Sequence, residues 1–477
     1  MSIDLETWEI VIGLEVHAEL ATATKLFCAA PNEFGGEPNT HIDALTLGLP
    51  GSLPVLNEHA VELAIRVGLA LNCTIDRSVF SRKNYFYPDQ PTNYQISQFD
   101  LPINGEGWLE LPGGKVIGIE RAHLEEDTGK STHVGGGGRI HEATFSLVDY
   151  NRAGVPLLEI VGRPDLRSGD EARAYVSELR SILVAVGASD GKMEEGSLRV
   201  DCNVSVRRHG DEELGTRCEI KNINSLRSLG RAVDYEAERQ IDMILAGERI
   251  EQQTRHWNED EGRTLKLRSK EQADDYRYFP EPDLVDLTPS QDWIDRVRSA
   301  LPILPAERRR RLCERSGAEV AQAVLIVERG LDDLCLAALD CGADAGRTIT
   351  HAEHNLSDPK AKGLDPKMFA KLTNMDADGS LSSTQTKTVL AELVQLGGDP
   401  AAIADSHGFQ AMDSEELGAV VDQLIAENPE QWQRFCEGDP KISGFFVGKV
   451  MKATQGQADG KVVAELLAGR TPTVAKE

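Results

Sequence analysis

Near the N-terminus, the stretch VIGLEVHAEL (residues 11–20) puts an apolar residue at every second position, and the pattern extends back through Ile10 to Trp8. Strict period two predicts a strand with one buried face. Its other face carries Glu15, His17 and Glu19. Two carboxylates and an imidazole in a row can hold a divalent metal or pass a proton. They can equally be the wetted side of a half-buried antiparallel strand. The choice depends on what stands beside them.

A second stretch, SLRVDCNVSVRRHGDEELGTRCEIKNIN (197–224), alternates Leu198, Val200, Cys202, Val204 and Val206 with polar residues. It breaks at RHGDEELG and resumes with Cys218 and Ile220, which predicts a hairpin. Its polar face offers Arg199, Asp201, Asn203, Glu219 and Lys221, a mixture of signs that suits a site as well as cross-strand ion pairing. A third stretch, RAHLEEDTGKSTH (121–133), brings Glu125, Glu126 and Asp127 together. On a strand Glu125 and Glu126 point to opposite faces, and spacing leaves open which of them meets a site. Its Gly129-Lys130-Ser131 does not end a P-loop, because Leu124 holds the position that needs glycine. The segment SRKNYFYPDQPTNYQISQFDLPI (81–103) concentrates Arg82, Lys83, Asn84, Tyr85, Tyr87 and Tyr94 in a chain only 5% aromatic. That suits stacking on a base, or a loop pinned by tyrosine packing. NMDADGSLSSTQ (374–385) begins like a calcium loop, but Gln385 stands where a bidentate Glu is required, so it reads as a polar turn between helices. The run Arg308 to Arg311 reads as a solvated helix face, with an RNA contact as the alternative.

The elements that must position these residues divide the chain. With 477 residues, two or three domains are expected. Strand-like runs and turn residues fill the first part, and helical spacing dominates from about 293. A second break is expected within THAEHNLSDPKAKGLDP (350–366), and GGGGR (135–139) reads as a flexible loop between two strand-like runs. The fold class is therefore α+β: an N-terminal mixed or antiparallel sheet domain (1–293), a helical domain (294–355), then a helical extension and small tail (356–477). A chain 40% hydrophobic and 27% charged is ordinary for a soluble protein. The sequence has no apolar run long enough for a membrane span, and MSIDLETWEI lacks a signal-peptide layout, so a cytoplasmic location is expected. The 8 cysteines form no CxxC pair and read as reduced, mostly core residues. Lys and Arg number 51 against 78 Asp and Glu, a net charge of −27. This argues against a broad nucleic-acid coat, but leaves room for a local basic patch and for a substrate handled through metal ions.

In combination, IGLEVHAEL, LGLPGSLPVLN, RKNYFYPD, HLEEDTGKSTH, YNRAGVPLLEIV, KMEEGSLRVDCNVS, EIKNINS and DDYRYFPEPDL resemble the B subunits of glutamyl/aspartyl-tRNA amidotransferases. The likeness continues through LPAERR to GFFVGKVMKATQGQADGKVV and covers nearly the whole chain. It implies a complex with an A subunit, which frees ammonia from glutamine, and a small C subunit. It implies that the B subunit uses ATP to phosphorylate the side-chain carboxylate of Glu-tRNA(Gln) or Asp-tRNA(Asn). Ammonia, arriving through an internal channel, then displaces phosphate. The N-terminal domain is implied to be a cradle similar to the catalytic fold of glutamine synthetase, and the tail to grip the misacylated tRNA. The chemistry is coherent. A carboxylate is a poor electrophile, an acyl phosphate has a leaving group, and bringing a triphosphate to a carboxylate requires divalent cations.

The resemblance places metal ligands at Glu15, His17, Glu126 and Glu219, with Glu126 and Glu219 catalytic and Asp201 and Glu125 as further candidates. Mg²⁺ is the expected ion, with Mn²⁺ able to substitute. By charge and position, Lys83, Arg199 and Lys221 are candidates for phosphate or ATP contacts or for lining the channel. Glu19 is expected to be only solvated or paired. Many relatives carry two cysteine pairs that would hold zinc; here only Cys28 remains, with Ala30, Asp43 and Thr46 at the other positions, and zinc is not expected. A free-standing amide ligase would have no use for the helical third of the chain. A non-catalytic tRNA scaffold would have no use for the acidic positions.

Overall fold

The N-terminal alternation forms strand β1 (Trp8–Glu19), which buries Ile10, Ile12, Leu14, Val16 and Ala18 on one side. The structure, a computed structural model, describes residues 6–135, 143–269, 276–409, 414–437, 440–454, 458 and 460–471. It forms two units, Met1–Ala306 and Glu307–Glu477.

The first unit is built on one large sheet. After β1 come β2 (Val79–Asn84), β3 (Tyr94–Leu101), β4 (Gly107–Glu110) and β5 (Val116–Glu126). A small separate hairpin follows, β6 (Lys130–Val134) with β7 (Phe145–Asp149). The expected GGGGR loop falls between them, mostly outside the described residues. The sheet resumes with β8 (Pro156–Gly162), β9 (Leu198–Arg208), β10 (Cys218–Ile223), β11 (Gln253–Asn258), β12 (Arg263–Ser269) and β13 (Phe279–Pro280). Its order is β12-β11-β10-β9-β1-β8-β5-β3-β2-β13, with β4 beside β5. Among the described strands only β10 and β11 pair in parallel; the hairpin expected at 197–224 is β9–β10.

Helices α1 (Glu58–Ala70), α2 (Gly169–Ala185) and α3 (Leu226–Leu245) pack on the apolar face. Each starts at a side chain that accepts backbone N–H bonds: Asn57, Ser168 and Ser225. Ala64, Tyr175, Leu179 and Val233 from these helices meet Ile12, Leu14, Leu124 and Val204 in one core. The polar residues of the strands are left on the opposite face. Asn104 fastens α1 to the sheet: buried, it donates from Nδ2 to the Ala64 carbonyl at 3.1 Å and exchanges backbone bonds with Ala122. A Cβ at Gly68 would overlap the Asn104 amide. Gly68→Ala is therefore expected to cost about 1–3 kcal/mol through overpacking, despite the helix-propensity gain of about 1 kcal/mol. Urea unfolding checks this, and a stabilised variant would show that Asn104 can move aside.

The boundary expected at 293 falls inside α4 (Gln291–Ser299), whose Val297 belongs to the first core, so the first unit extends to Ala306. The second unit is helical: α5 (Pro305–Ser316, entering from the first unit), α6 (Val320–Glu328), α7 (Asp332–Asp340), α8 (Ala345–His354), α9 (Pro366–Ala377), α10 (Ser383–Leu396) and α11 (Pro400–Ser406). Then follow α12 (Ser414–Glu427), α13 (Pro429–Cys436), α14 (Pro440–Ala453) and α15 (Gly460–Gly469). The break expected at 355 is not a break in packing. Leu356, Ala361 and Leu364 share a core with Ala352 and Phe369, and the next hydrophobic cluster begins only at Leu417.

One sequence reading changes here and another holds. Arg308 and Arg309 are not a solvated face: Arg308 pairs with buried Asp332 at 2.5 Å, and Arg309 is itself buried. Only Arg310 and Arg311 lie on the outside, bound to Glu307. The calcium-like stretch is the turn expected between two helices, α9 and α10, and its Asp376, on α9, is buried against His351 at 3.0 Å and Arg347 at 3.3 Å. Among the described residues no helix is long and apolar enough to cross a membrane.

Candidate phosphoryl-transfer site

Register builds the site. On β1, His17 lies opposite Glu159 of β8 and Arg199 of β9, and Glu15 lies opposite Asp201. Glu159 in turn faces His123 of β5, with Glu125 two residues along the same side. On the other flank Glu219 of β10 lies opposite Asn203. Five neighbouring strands thus contribute to one polar row.

Within it, two groups of three donors close up, each with its donor atoms within 4.8 Å of one another: His17, Glu125 and Glu159, and Glu15, Asp201 and Glu219. In the first, His17 Nε2 lies 3.9 Å from Glu125 and 3.7 Å from Glu159. His123 approaches Glu159 to 3.4 Å from behind. In the second, Asn203 Nδ2 donates to Glu15 at 3.0 Å and Thr254 Oγ1 to Glu219 at 2.7 Å. Lys221 reaches Asp201 at 2.5 Å and Glu219 at 3.6 Å. The Asn203 Oδ1 is buried with no hydrogen-bond partner.

The electrostatics are those of charge held together under constraint. Burial and the charge of Glu159 push Glu125 up to about 7. Burial works against charge on His17, but its bond to Glu159 and the charges of Glu159, Glu125 and Asp201 outweigh it and hold the imidazole at about 9. Burial likewise opposes charge on Lys221, yet Asp201 and Glu219 keep it above the usual lysine range.

Glu126, expected as a metal ligand, stands apart from the row. On β5 the odd residues His123 and Glu125 face the row, whereas Glu126 shares the side of Leu124. Its carboxylate accepts from the Ile96 backbone N–H at 3.0 Å and from Gln90 Nε2 at 3.3 Å. It borders a small pocket with Phe27, Cys28, Thr46 and Tyr94. Burial pushes it up to about 7, against the Ile96 hydrogen bond. Glu159, rather than Glu126, groups with His17 and Glu125. Sequence reasoning passed over it, although an acid inside the apolar run VPLLEIVG was a readable signal.

The three basic candidates are placed differently. Lys221 belongs to the second cluster. Arg199 binds Asp127 through two bonds, 3.2 and 2.7 Å, while Arg152 approaches the same carboxylate at 3.4 Å. Lys83 lies over the Tyr276 ring, 4.7 Å from its centroid. Glu19, last on the β1 face, lines a wide cleft together with Arg152, Lys130, Asn222 and Asn224. Asp43 and Thr46, at two of the positions where the resemblance implies cysteines, bind each other: Thr46 Oγ1 accepts from the Asp43 backbone N–H at 2.6 Å and donates to Asp43 Oδ1 at 2.9 Å.

Comparison with known proteins agrees with this architecture. Residues 10–295 match the GatB/GatE catalytic domain, and residues 346–470 match the GatB domain. The chain is similar to the B subunit of the aspartyl/glutamyl-tRNA(Asn/Gln) amidotransferase of Synechococcus elongatus, 47% identical over 479 residues, covering 96% of this chain and 97% of the relative. The corresponding protein of Nocardia farcinica is 47% identical over 479 residues, covering 96% and 95%. That of Moorella thermoacetica is 47% identical over 477 residues, covering 97% and 99%. With one catalytic-domain match over most of the sheet unit and relatives aligned nearly end to end, the chain belongs to the family of aspartyl/glutamyl-tRNA(Asn/Gln) amidotransferase B subunits.

Proposed function

We propose that this chain is the ATP-using, amide-forming subunit of a tRNA-dependent amidotransferase. It phosphorylates the side-chain carboxylate of Glu-tRNA(Gln), Asp-tRNA(Asn) or both, and passes the acyl group to ammonia. The observation that carries this reading is the pair of three-donor clusters on one sheet face.

The donor chemistry fits divalent cations. Glu15, Asp201 and Glu219 form an all-oxygen set of the kind Mg²⁺ takes, and His17, Glu125 and Glu159 add an imidazole, which Mn²⁺ accepts more readily. Like charges confined together and the unpartnered Asn203 Oδ1 are what such ions would relieve. When bound, the ions screen the triphosphate from the carboxylate and stabilise charge on the transferring phosphoryl group. The chain's own residues supply the rest. Lys221 and Arg199, beside the two clusters, offer cations to phosphate oxygens, and Lys83 adds a third beyond Glu125. Glu219 remains catalytic as a holder of the second ion. Glu126 takes a different part: a buried carboxyl near 7 is matched to exchange a proton with incoming ammonia.

The amidase A subunit supplies that ammonia from glutamine, and the small C subunit completes the complex. Helices α12 to α15 grip the misacylated tRNA. The reaction belongs to the cytoplasm and needs no membrane. To test the reading, the assembled complex is given misacylated tRNA, ATP and glutamine after chelation of divalent ions. No ADP and no amidated tRNA are expected until Mg²⁺ or Mn²⁺ is returned. Full amidation in the presence of the chelator would refute it.

A further inference from the structure

We propose that Tyr276 is a positioning residue for phosphoryl transfer: the face of its ring holds the Lys83 ammonium beside the His17 cluster and keeps it from closing onto Glu125 and Glu159. This rests on the function proposed above and deepens it.

Lys83 stands on the same side of the sheet as the cluster. Ser97 of β3 lies opposite Glu125, and Gln95, two residues back along that side, lies opposite Lys83. The Lys83 charge is felt by Glu125, Glu159 and His123. Yet among the described residues Lys83 forms no ion pair and donates no hydrogen bond; its Nζ rests over the Tyr276 ring, 4.7 Å from the centroid.

A lysine that feels two carboxylates needs a reason not to join them. His17 supplies part of it. Its Nε2 lies 3.9 Å from Glu125 and 3.7 Å from Glu159, so the two acids already share a cation. The ring supplies the rest. A half-exposed lysine–carboxylate pair and a lysine over a tyrosine face are of similar strength, so the place of the ring decides where the ammonium sits. The gain is functional. An ammonium locked to carboxylate oxygens must break those bonds before it meets a phosphate. Over a ring its N–H donors stay unbonded, and phosphoryl oxygens can take them without rearrangement.

The place of the ring is fixed by a chain of contacts. Tyr276 meets Tyr278 edge to face at 6.2 Å, and Tyr278 stacks on Phe99 at 4.7 Å. Phe99, two residues past Ser97, belongs to the face that carries Glu125. Asn84 Nδ2 donates to the carbonyls of Tyr276 at 2.9 Å and Arg277 at 3.0 Å. Arg277 is held at φ +48°, in the left-handed region that a residue with a side chain occupies only under constraint. Further along, buried Glu281 accepts two bonds from Arg82, at 2.6 and 2.9 Å, which fastens the segment to β2.

The test replaces Tyr276, in the assembled complex, by phenylalanine and by phenylalanines carrying one, two and three ring fluorines. Each fluorine weakens the negative face of the ring and leaves its shape nearly unchanged. The readout is ADP formation dependent on misacylated tRNA. Phenylalanine itself is expected to work within about threefold of the wild type. The rate is then expected to fall stepwise with each fluorine, to about a tenth for three, within the span of a cation–π contact. In a Lys83→Met background, where the rate is lower throughout, the same series is expected to be flat. A flat series with Lys83 present, or an equal slope without it, would overturn the assignment, because packing alone is blind to the charge of the ring. Failure of the wild-type complex to form ADP at all would instead overturn the function on which it rests.

Discussion

Glu125→Gln is expected to lower ATP-dependent amidation by roughly a thousandfold or more, while glutamine hydrolysis by the partner amidase continues. The substitution keeps the size of the side chain and its place on β5. It removes one of the charges that, with Glu159, sits beside His17. ADP formation dependent on misacylated tRNA is the direct readout, since it reports activation before any ammonia is needed. The informative comparison is with the next residue. Glu126→Gln leaves both donor clusters intact, so ADP formation is expected to persist within about tenfold while amide formation falls further. The two neighbours thus separate activation from amidation. If Glu125→Gln forms ADP at the wild-type rate, or Glu126→Gln alone loses it, the division between the two sides of β5 is wrong.

The largest effect on stability is expected away from the site, at Glu236→Ala. Glu236 is fully buried on α3 and binds four partners: Arg239 at 2.6 Å, Gln240 at 3.0 Å, Thr264 at 2.8 Å and Arg255 at 3.3 Å. Arg255 and Thr264 belong to β11 and β12, so this one carboxylate ties the helix to the edge of the sheet. Removing it leaves two largely buried guanidinia without their counter-charge, for a cost of about 3–5 kcal/mol. Glu236→Gln keeps most hydrogen bonds and is expected to lose less. Because β11 also holds Glu219 through Thr254, the Ala variant is expected to weaken the second cluster as well. Urea unfolding of the first unit checks the size of the effect; a loss below about 1 kcal/mol would mean that water replaces the carboxylate at little cost.

How much of this could be read beforehand depends on which interactions are local. The alternation of β1 and of the β9–β10 hairpin was legible because burial of one strand face imposes period two on the sequence. That Glu15, His17, Glu126 and Glu219 belong together came from the family likeness; the structure groups Glu15 and Glu219 with Asp201, puts His17 in the neighbouring cluster and sets Glu126 apart. The choice between Glu125 and Glu126 was not legible, since both faces of β5 end in an acid and only the partners of the strand distinguish them. Glu159 was hidden by its apolar neighbours, which mark a buried strand and draw attention away from the one charge in it. Glu236 looks like any exposed helix acid until Arg255, nineteen positions later, folds over it. The cores divide elsewhere than at the expected breaks for a related reason. Polar, proline-containing stretches at about 293 and 355 mark turns, and whether a turn ends a core depends on side chains such as Val297 and Leu356 that pack across it.

Strand β1 has one more consequence. Glu15 and His17, each serving a different donor cluster, are consecutive polar positions of a single extended segment inserted between β8 and β9. Their separation is fixed by the peptide backbone itself, so no hinge or loop motion can tune one without the other. A single residue inserted or deleted early in the strand would rotate both toward the apolar core and bring Leu14 and Val16 out in their place. Substitution on this strand is held by the core on one side and by the donors on the other, and its length is held by both: the two donor clusters are kept or lost as one unit.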